Sequence, residues 1–205
     1  MDLFSIAIAF GIVLASLTVH EAAHAWTADR LGDPTARMLG RVSLNPIVHI
    51  DLIGTVVLPI VAVLSGLPLI GWAKPVPVNI SQLREPRRDF MIVAAAGPLS
   101  NIAQAVLAAM AYRMVVGSGA DLGLTAGILD LGVRINLLLA FFNLIPIPPL
   151  DGGNVLAGLL PRSAAGIFVG LRQYGFIILY ALMLTGVLFE LIVPPMTFMR
   201  EILLP

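Results

Sequence analysis

Long apolar runs, each interrupted by a few polar residues, fill most of this 205-residue chain. The sixteen residues from Leu3 to Thr18 carry no charge, and the first run continues to about residue 30, where Gly32 and Pro34 stop a helix. A second run, Leu52 to Gly71, is long enough to cross a bilayer at about 20 residues, but Gly54, Pro59, Gly66 and Pro68 break it. A third, about 89–116, is rich in alanine and opens with Asp89 in its first turn, where the helix dipole favours an anion. A fourth, about 124–145, is apolar apart from Asp130, Arg134 and Asn136. A fifth, about 166–193, is apolar apart from Arg172, Gln173 and Glu190; Pro194-Pro195 is expected to end it, leaving an interfacial tail. Between the runs, residues 35–51 predict a small hairpin or loop at the membrane surface. Pro75 and Pro77 favour an extended backbone over Gly71–Asn79, and a short helix over 153–160 is closed by Pro161. The expected fold is an all-α polytopic membrane protein. It has about five hydrophobic segments, one of them broken or re-entrant, and a small extended or β-hairpin element.

Composition agrees. The chain is 59% hydrophobic and 12% charged, against about 25% charged in soluble domains. Net charge is zero, which gives no basic field for a nucleic acid, and the absence of cysteine excludes disulfides and thiolate ligands. Asp2 is the sole early charge, so the first helix lacks a signal peptide's basic start and is expected to stay as an anchor. One membrane-embedded domain, 1–205, is expected, without repeats. Nine of the twelve basic residues (Arg30, Arg37, Arg41, Lys74, Arg84, Arg87, Arg88, Arg162 and Arg172) share one side if the second run enters and leaves by the same face. The positive-inside rule therefore favours a bent or re-entrant second run over a proline-kinked crossing. It places the N-terminus outside and residues 20–24 toward the cytoplasmic half.

The candidate chemistry lies at His20-Glu21-Ala22-Ala23-His24. A helix advances about 100° per residue, so the two imidazoles lie about 40° apart on one face, with Glu21 beside them. This is H-E-x-x-H: two zinc-binding nitrogens and a carboxylate that can act as general base. Ionisable groups within a membrane helix need a partner, and one zinc ion is sufficient; the plainer alternative is a pair of core or cap histidines. Asp151, in Asn143-Leu-Ile-Pro-Ile-Pro-Pro-Leu-Asp-Gly-Gly153, is the best third ligand, although alone it reads as a turn aspartate. Asn101 suits either an interhelical hydrogen bond or a substrate contact. His49 reads as a loop-bonding residue or else a cavity-lining, pH-sensitive group. Lys74, Trp72 and Trp26 read as membrane-surface anchors.

His20-Glu21-Ala-Ala-His24, Gly97-Pro98-Leu-Ser-Asn101 and Asn143-Leu-Ile-Pro with Leu150-Asp151-Gly152-Gly153 together resemble the intramembrane site-2 metalloprotease family, in its compact prokaryotic branch without PDZ or CBS modules. The resemblance implies a multi-pass protein of the cell membrane in which His20, His24 and Asp151 bind one Zn2+ and Glu21 is the catalytic base. It places Asn143 near the scissile carbonyl, where helix capping is the alternative. Gly71–Asn79 is similar to a family element lying beside the zinc. Implied partners are the lipid bilayer and transmembrane protein or peptide substrates, cleaved in regulated intramembrane proteolysis, with no nucleic acid. An unwound substrate could pair with the extended edge from Lys74 to Ile80, against Val76 and Val78. A zinc-binding sensor or scaffold without turnover is the alternative, but it has no need of Glu21; a transporter would call for an inverted repeat.

Overall fold

The computed structural model describes residues 2–65, 71–119 and 122–204. Helix α1 (Leu3–Arg30) is capped at its start by the Asp2 carboxylate, which accepts from Ser5 N–H at 2.7 Å. The polar cluster at 20–24 lies in its C-terminal half and does not interrupt it. Helix α4 (Pro86–Gly117) begins where α1 ends, since Arg84 N–H donates to Leu31 O at 3.2 Å. The two pack through small residues: Ala25 and Ala28 on α1, and Ala94, Gly97 and Ala105 on α4, are all buried. Short side chains of this kind let membrane helices approach closely. Helix α5 (Gly123–Asn143) returns along α4, with Ala105, Ala109, Val133 and Leu137 forming a fully apolar contact.

Among the described residues, four helical stretches are long and apolar enough to cross a membrane: Leu3–Arg30, Pro86–Gly117, Gly123–Asn143 and Ser163–Leu184. The second apolar run is not one of these. It forms a π-helical turn over Leu52–Val57 and the short helix α3 (Leu58–Ser65). Gly66 and Pro68, two of its expected breaks, lie outside the described residues. Its two ends meet: Trp72 N–H donates to Gly54 O at 3.1 Å and Thr55 Oγ1 donates to Trp72 O at 2.9 Å. The chain therefore leaves and returns at one place.

Of the hairpin or loop expected over 35–51, the hairpin is corrected. No strand occurs among the described residues, and this stretch holds the four-residue helix α2 (Thr35–Met38) and a 3-10 turn, Pro46–His49. Side chains capture the backbone that a ladder would need: Asp33 accepts from Thr35 N–H, and Asn45 accepts from Ile47 N–H. Pro46 has no N–H to offer. The element at Gly71–Asn79 is extended without being paired into a sheet.

After α6 (Asp151–Leu159) come α7 (Arg162–Gly170), a 3-10 turn over Leu171–Tyr174, α8 (Gly175–Leu184) and α9 (Val187–Leu203). The expected stop at Pro194-Pro195 is also corrected, because both prolines lie inside α9. The break comes earlier, at Gly186, whose φ of 80° suits glycine. Downstream of the prolines, Met196, Met199, Leu203 and Leu204 pack on the α4–α5 core, so the end of the chain is a docked helix.

Candidate metal centre

His20 and His24 point from α1 toward the first turn of α6. His20 Nε2 lies 3.0 Å from His24 Nε2 and 3.1 Å from Asp151 Oδ2, and His24 Nε2 lies 3.3 Å from the same oxygen. Residues more than 120 positions apart in sequence thus converge on one point inside the helical bundle, with both histidines buried.

Each imidazole is oriented through its other nitrogen. His20 Nδ1 bonds to Asn101 Oδ1 at 2.6 Å, and His24 Nδ1 to the Val93 carbonyl at 2.7 Å. A carbonyl can only accept, so His24 carries its proton on Nδ1. The Asn101 amide donates to Asn136 Oδ1 (3.0 Å) and Ser16 O (3.4 Å), which leaves its oxygen to accept from His20 Nδ1–H. Both Nε2 lone pairs therefore face the Asp151 carboxylate, and Asp151 Oδ2 is buried with no hydrogen-bond partner among the described residues. Three electron-pair donors at such spacing repel unless a cation lies between them. Zinc–ligand bonds of about 2.0–2.1 Å give a tetrahedral edge of about 3.3 Å, and the measured triangle agrees. The donor set, two neutral imidazoles and one carboxylate, fits a single zinc ion. Second contacts of this kind fix ring orientation in metal sites.

Two glycine positions make room for the triangle. A Cβ on Gly97 would collide with both Nε2 atoms, so α4 can lie against the imidazoles only without a side chain there. Gly152 and Gly153 follow Asp151 because the loop folds onto the start of α6: a Cβ on Gly152 would come 2.5 Å from Ile145 O, and one on Gly153 2.6 Å from Pro148 N.

The remaining expected residues are placed as follows. Glu21 lies beside the histidines and accepts from Val76 N–H at 3.2 Å, which brings the extended segment to the carboxylate. Val78 is half-buried and makes no polar contact with the centre. Asn143 ends α5 and donates to Leu139 O at 3.0 Å, one turn back, without touching the three candidate ligands. Asn101 is fully buried and, of its two readings, makes the interhelical hydrogen bonds, accepting at Oδ1 opposite His20 Nδ1 and donating to Ser16 O and Asn136 Oδ1. His49 is buried and bonded to the loop at Ser43 O, 2.8 Å away. Gly97 stood in a motif and Asn136 as a polar break in an apolar run, but neither was given a role at the site, and the Val93 carbonyl was not singled out at all. A polar residue in an apolar helix is a fair signal for Asn136; a backbone carbonyl has none.

Membrane-crossing helices that bury H-E-x-x-H against a remote aspartate define a class, the membrane-embedded metallopeptidases. Comparison with known proteins agrees. The model of peptidase family M50 matches residues 113–186, the part that carries Asn143 and Asp151. The chain is 36% identical over 179 residues to "Putative zinc metalloprotease YwhC" of Bacillus subtilis, covering 84% of this chain and 78% of that one. It is 32% identical over 184 residues to "Putative zinc metalloprotease Rip2" of Mycolicibacterium smegmatis, covering 87% and 69%. A 64-residue stretch is 44% identical to "Putative zinc metalloprotease MJ0611" of Methanocaldococcus jannaschii, covering 31% of each chain. No solved structure matches. The chain belongs to peptidase family M50, the site-2 protease family.

Proposed function

We propose that this chain hydrolyses peptide bonds within or beside the transmembrane segments of other membrane proteins, with His20, His24 and Asp151 holding one zinc ion and Glu21 acting as general base. The observation that carries the assignment is the triangle of His20 Nε2, His24 Nε2 and Asp151 Oδ2, with edges of 3.0 to 3.3 Å. Zinc, when bound, supplies a Lewis acid that polarises a carbonyl and acidifies water to near neutrality. Glu21 takes a proton from the attacking water as the C–O bond forms, and passes it to the amide nitrogen, which leaves as the amine when the C–N bond then breaks. Val76 N–H holds one Glu21 oxygen and fixes the direction of the carboxylate. Asn143 uses one amide hydrogen on Leu139 O, and the other remains to donate to the developing oxyanion; losing one donor of this kind costs about 2.7–4 kcal/mol.

The substrate follows from depth. His24 and His20 stand six and ten residues before the end of α1, or roughly 9 and 15 Å along its axis. A peptide bond reaching that level belongs to a membrane-spanning segment that has locally unwound. The Lys74–Ile80 stretch is its docking edge, with Val76 and Val78 as side-chain contacts. Pro75 and Pro77 offer carbonyls but no N–H, so the substrate strand supplies the donors there. Arg30, Arg37, Arg41, Lys74, Arg84, Arg87 and Arg88 all fall between the end of α1 and the first turn of α4. This favours a cytoplasmic location for that end of the bundle, in a prokaryotic cell membrane, with Gly54–Thr55 and Trp72, near the two ends of the second apolar run, on that same side. The whole chain, 1–205, acts as one domain.

The test is incubation of the purified protein with transmembrane peptides, with and without chelator, beside Glu21→Gln. Cleavage by the wild type alone, abolished by chelator, with zinc retained in the variant, is the expected result. An active Glu21→Gln would remove Glu21 from the mechanism.

A further inference from the structure

The extended segment is tied down along one edge. Trp72 N–H donates to Gly54 O and Trp72 O accepts from Thr55 Oγ1; Lys74 N–H donates to His49 O (2.8 Å) and Lys74 O accepts from Arg41 Nη2; Val76 N–H donates to Glu21 Oε2. The tied residues are 72, 74 and 76, the alternation expected of an extended backbone. On such an edge, a C=O and the N–H two residues later are neighbours. Arg41 and Glu21 therefore fill the place that one residue of a parallel strand would take, donating to Lys74 O and accepting from Val76 N–H.

Arg41 is poorly compensated there. It is 5% exposed, its Nε is buried without a partner, and no carboxylate lies within ion-pair distance among the described residues. Burial pushes its pKa below the usual arginine value, opposed by the negative charge of Glu21; the guanidinium stays protonated regardless. His49 gives no countercharge, since an imidazole is never negative; its Nε2 bonds to Ser43 O and its Nδ1 lies 3.5 Å from Arg41 Nη2. A buried, incompletely paired cation does not favour stability. What it does achieve is a fixed Lys74 carbonyl.

We propose that Arg41 is a positioning residue for the hydrolysis: by fixing the Lys74 carbonyl it places the adjoining Val76 N–H, and through that N–H the Glu21 carboxylate. The inference rests on Glu21 being the base.

The test uses the full-length protein with a transmembrane peptide and reads kcat, KM, zinc per chain and Tm for Arg41→Met, Arg41→Lys, Val76→Pro and the Arg41→Met/Val76→Pro double variant. Displacing a catalytic group by about 1 Å costs on the order of 100-fold. Arg41→Met is expected to lose that much kcat with KM and zinc content unchanged. Arg41→Lys keeps a cationic donor for Lys74 O and recovers most of the loss. Val76→Pro, which deletes the N–H, matches Arg41→Met in kcat and zinc content, its KM being free to move because the side chain also meets substrate, and the kcat of the double variant is no worse than that of the poorer single. Wild-type kcat in Arg41→Met, loss of zinc from it, or losses that multiply in the double variant would overturn the proposal. Glu21→Gln separates the two levels. An active Glu21→Gln defeats the base assignment, whereas an inactive one beside a fully active Arg41→Met defeats the role of Arg41 alone.

Discussion

Replacing Gly97 by alanine should loosen the hold of the metal centre on zinc. The added Cβ would lie 2.5 Å from His20 Nε2 and collide with His24 Nε2 as well. Ordinary contact begins near 3.4 Å, so the shortfall on the His20 side is about 0.9 Å. Metal–ligand distances tolerate about 0.2 Å. Imidazoles displaced by several times that amount could not keep their bonds both to an ion and to Asn101 and Val93. Retreat of α4 is also resisted, because Ala94, Asn101 and Ala105 on the same helix are buried against its neighbours. Overpacking of a filled core costs about 1–3 kcal/mol. Charged wholly to metal binding, this weakens zinc affinity roughly 5- to 140-fold, at 1.4 kcal/mol per decade. The assay is zinc competition against a chromogenic chelator, with peptide cleavage read in parallel. A Gly97→Ala protein that holds zinc as tightly as the wild type would show that α4 does not press on the histidines as described.

Other outcomes follow from the same contacts. Asn101→Ala removes the acceptor for His20 Nδ1–H and should weaken zinc binding about 10- to 100-fold, measured by the same competition; unchanged affinity would remove Asn101 from the support of His20. Asp33 is completely buried and holds Asn79 N–H at 2.6 Å together with Thr35. Asp33→Ala strands these donors, at about 1–3 kcal/mol, and should lower thermal stability and cleavage while zinc stays bound. Replacing Val76 and Val78 by alanine should change which peptides are cut, read by mass spectrometry of the products, without loss of metal.

The site was legible where its information is local. His20 and His24 fall on one helical face by spacing alone, with Glu21 beside it, and Asp151 is conspicuous as a carboxylate between apolar runs. What holds them was not legible. Asn101 could be read two ways until its burial showed that its amide is consumed by His20, Ser16 and Asn136. The Val93 carbonyl leaves no trace in a sequence. The misread elements have a similar origin. Val42 and Leu44 alternate as in a strand, but Asn45 and Pro46 turn the chain before a partner can form. Pro194-Pro195 reads as a stop, but Leu188 and Ile192 before it and Met196 after it are packed in the core, and that packing carries the helix through.

The two prolines of the extended segment also bear on how copies of this protein coexist. Membrane proteins are concentrated in two dimensions, where an unpaired backbone edge invites the same edge of a neighbour. Pairing of that kind needs donors as well as acceptors from each strand, and Pro75 and Pro77 delete two donors on the side facing away from Arg41 and Glu21. A guest strand can bring N–H groups at every position, whereas an identical segment lacks two of them. If the segment docks substrate as proposed, the edge would admit other chains more readily than its twin.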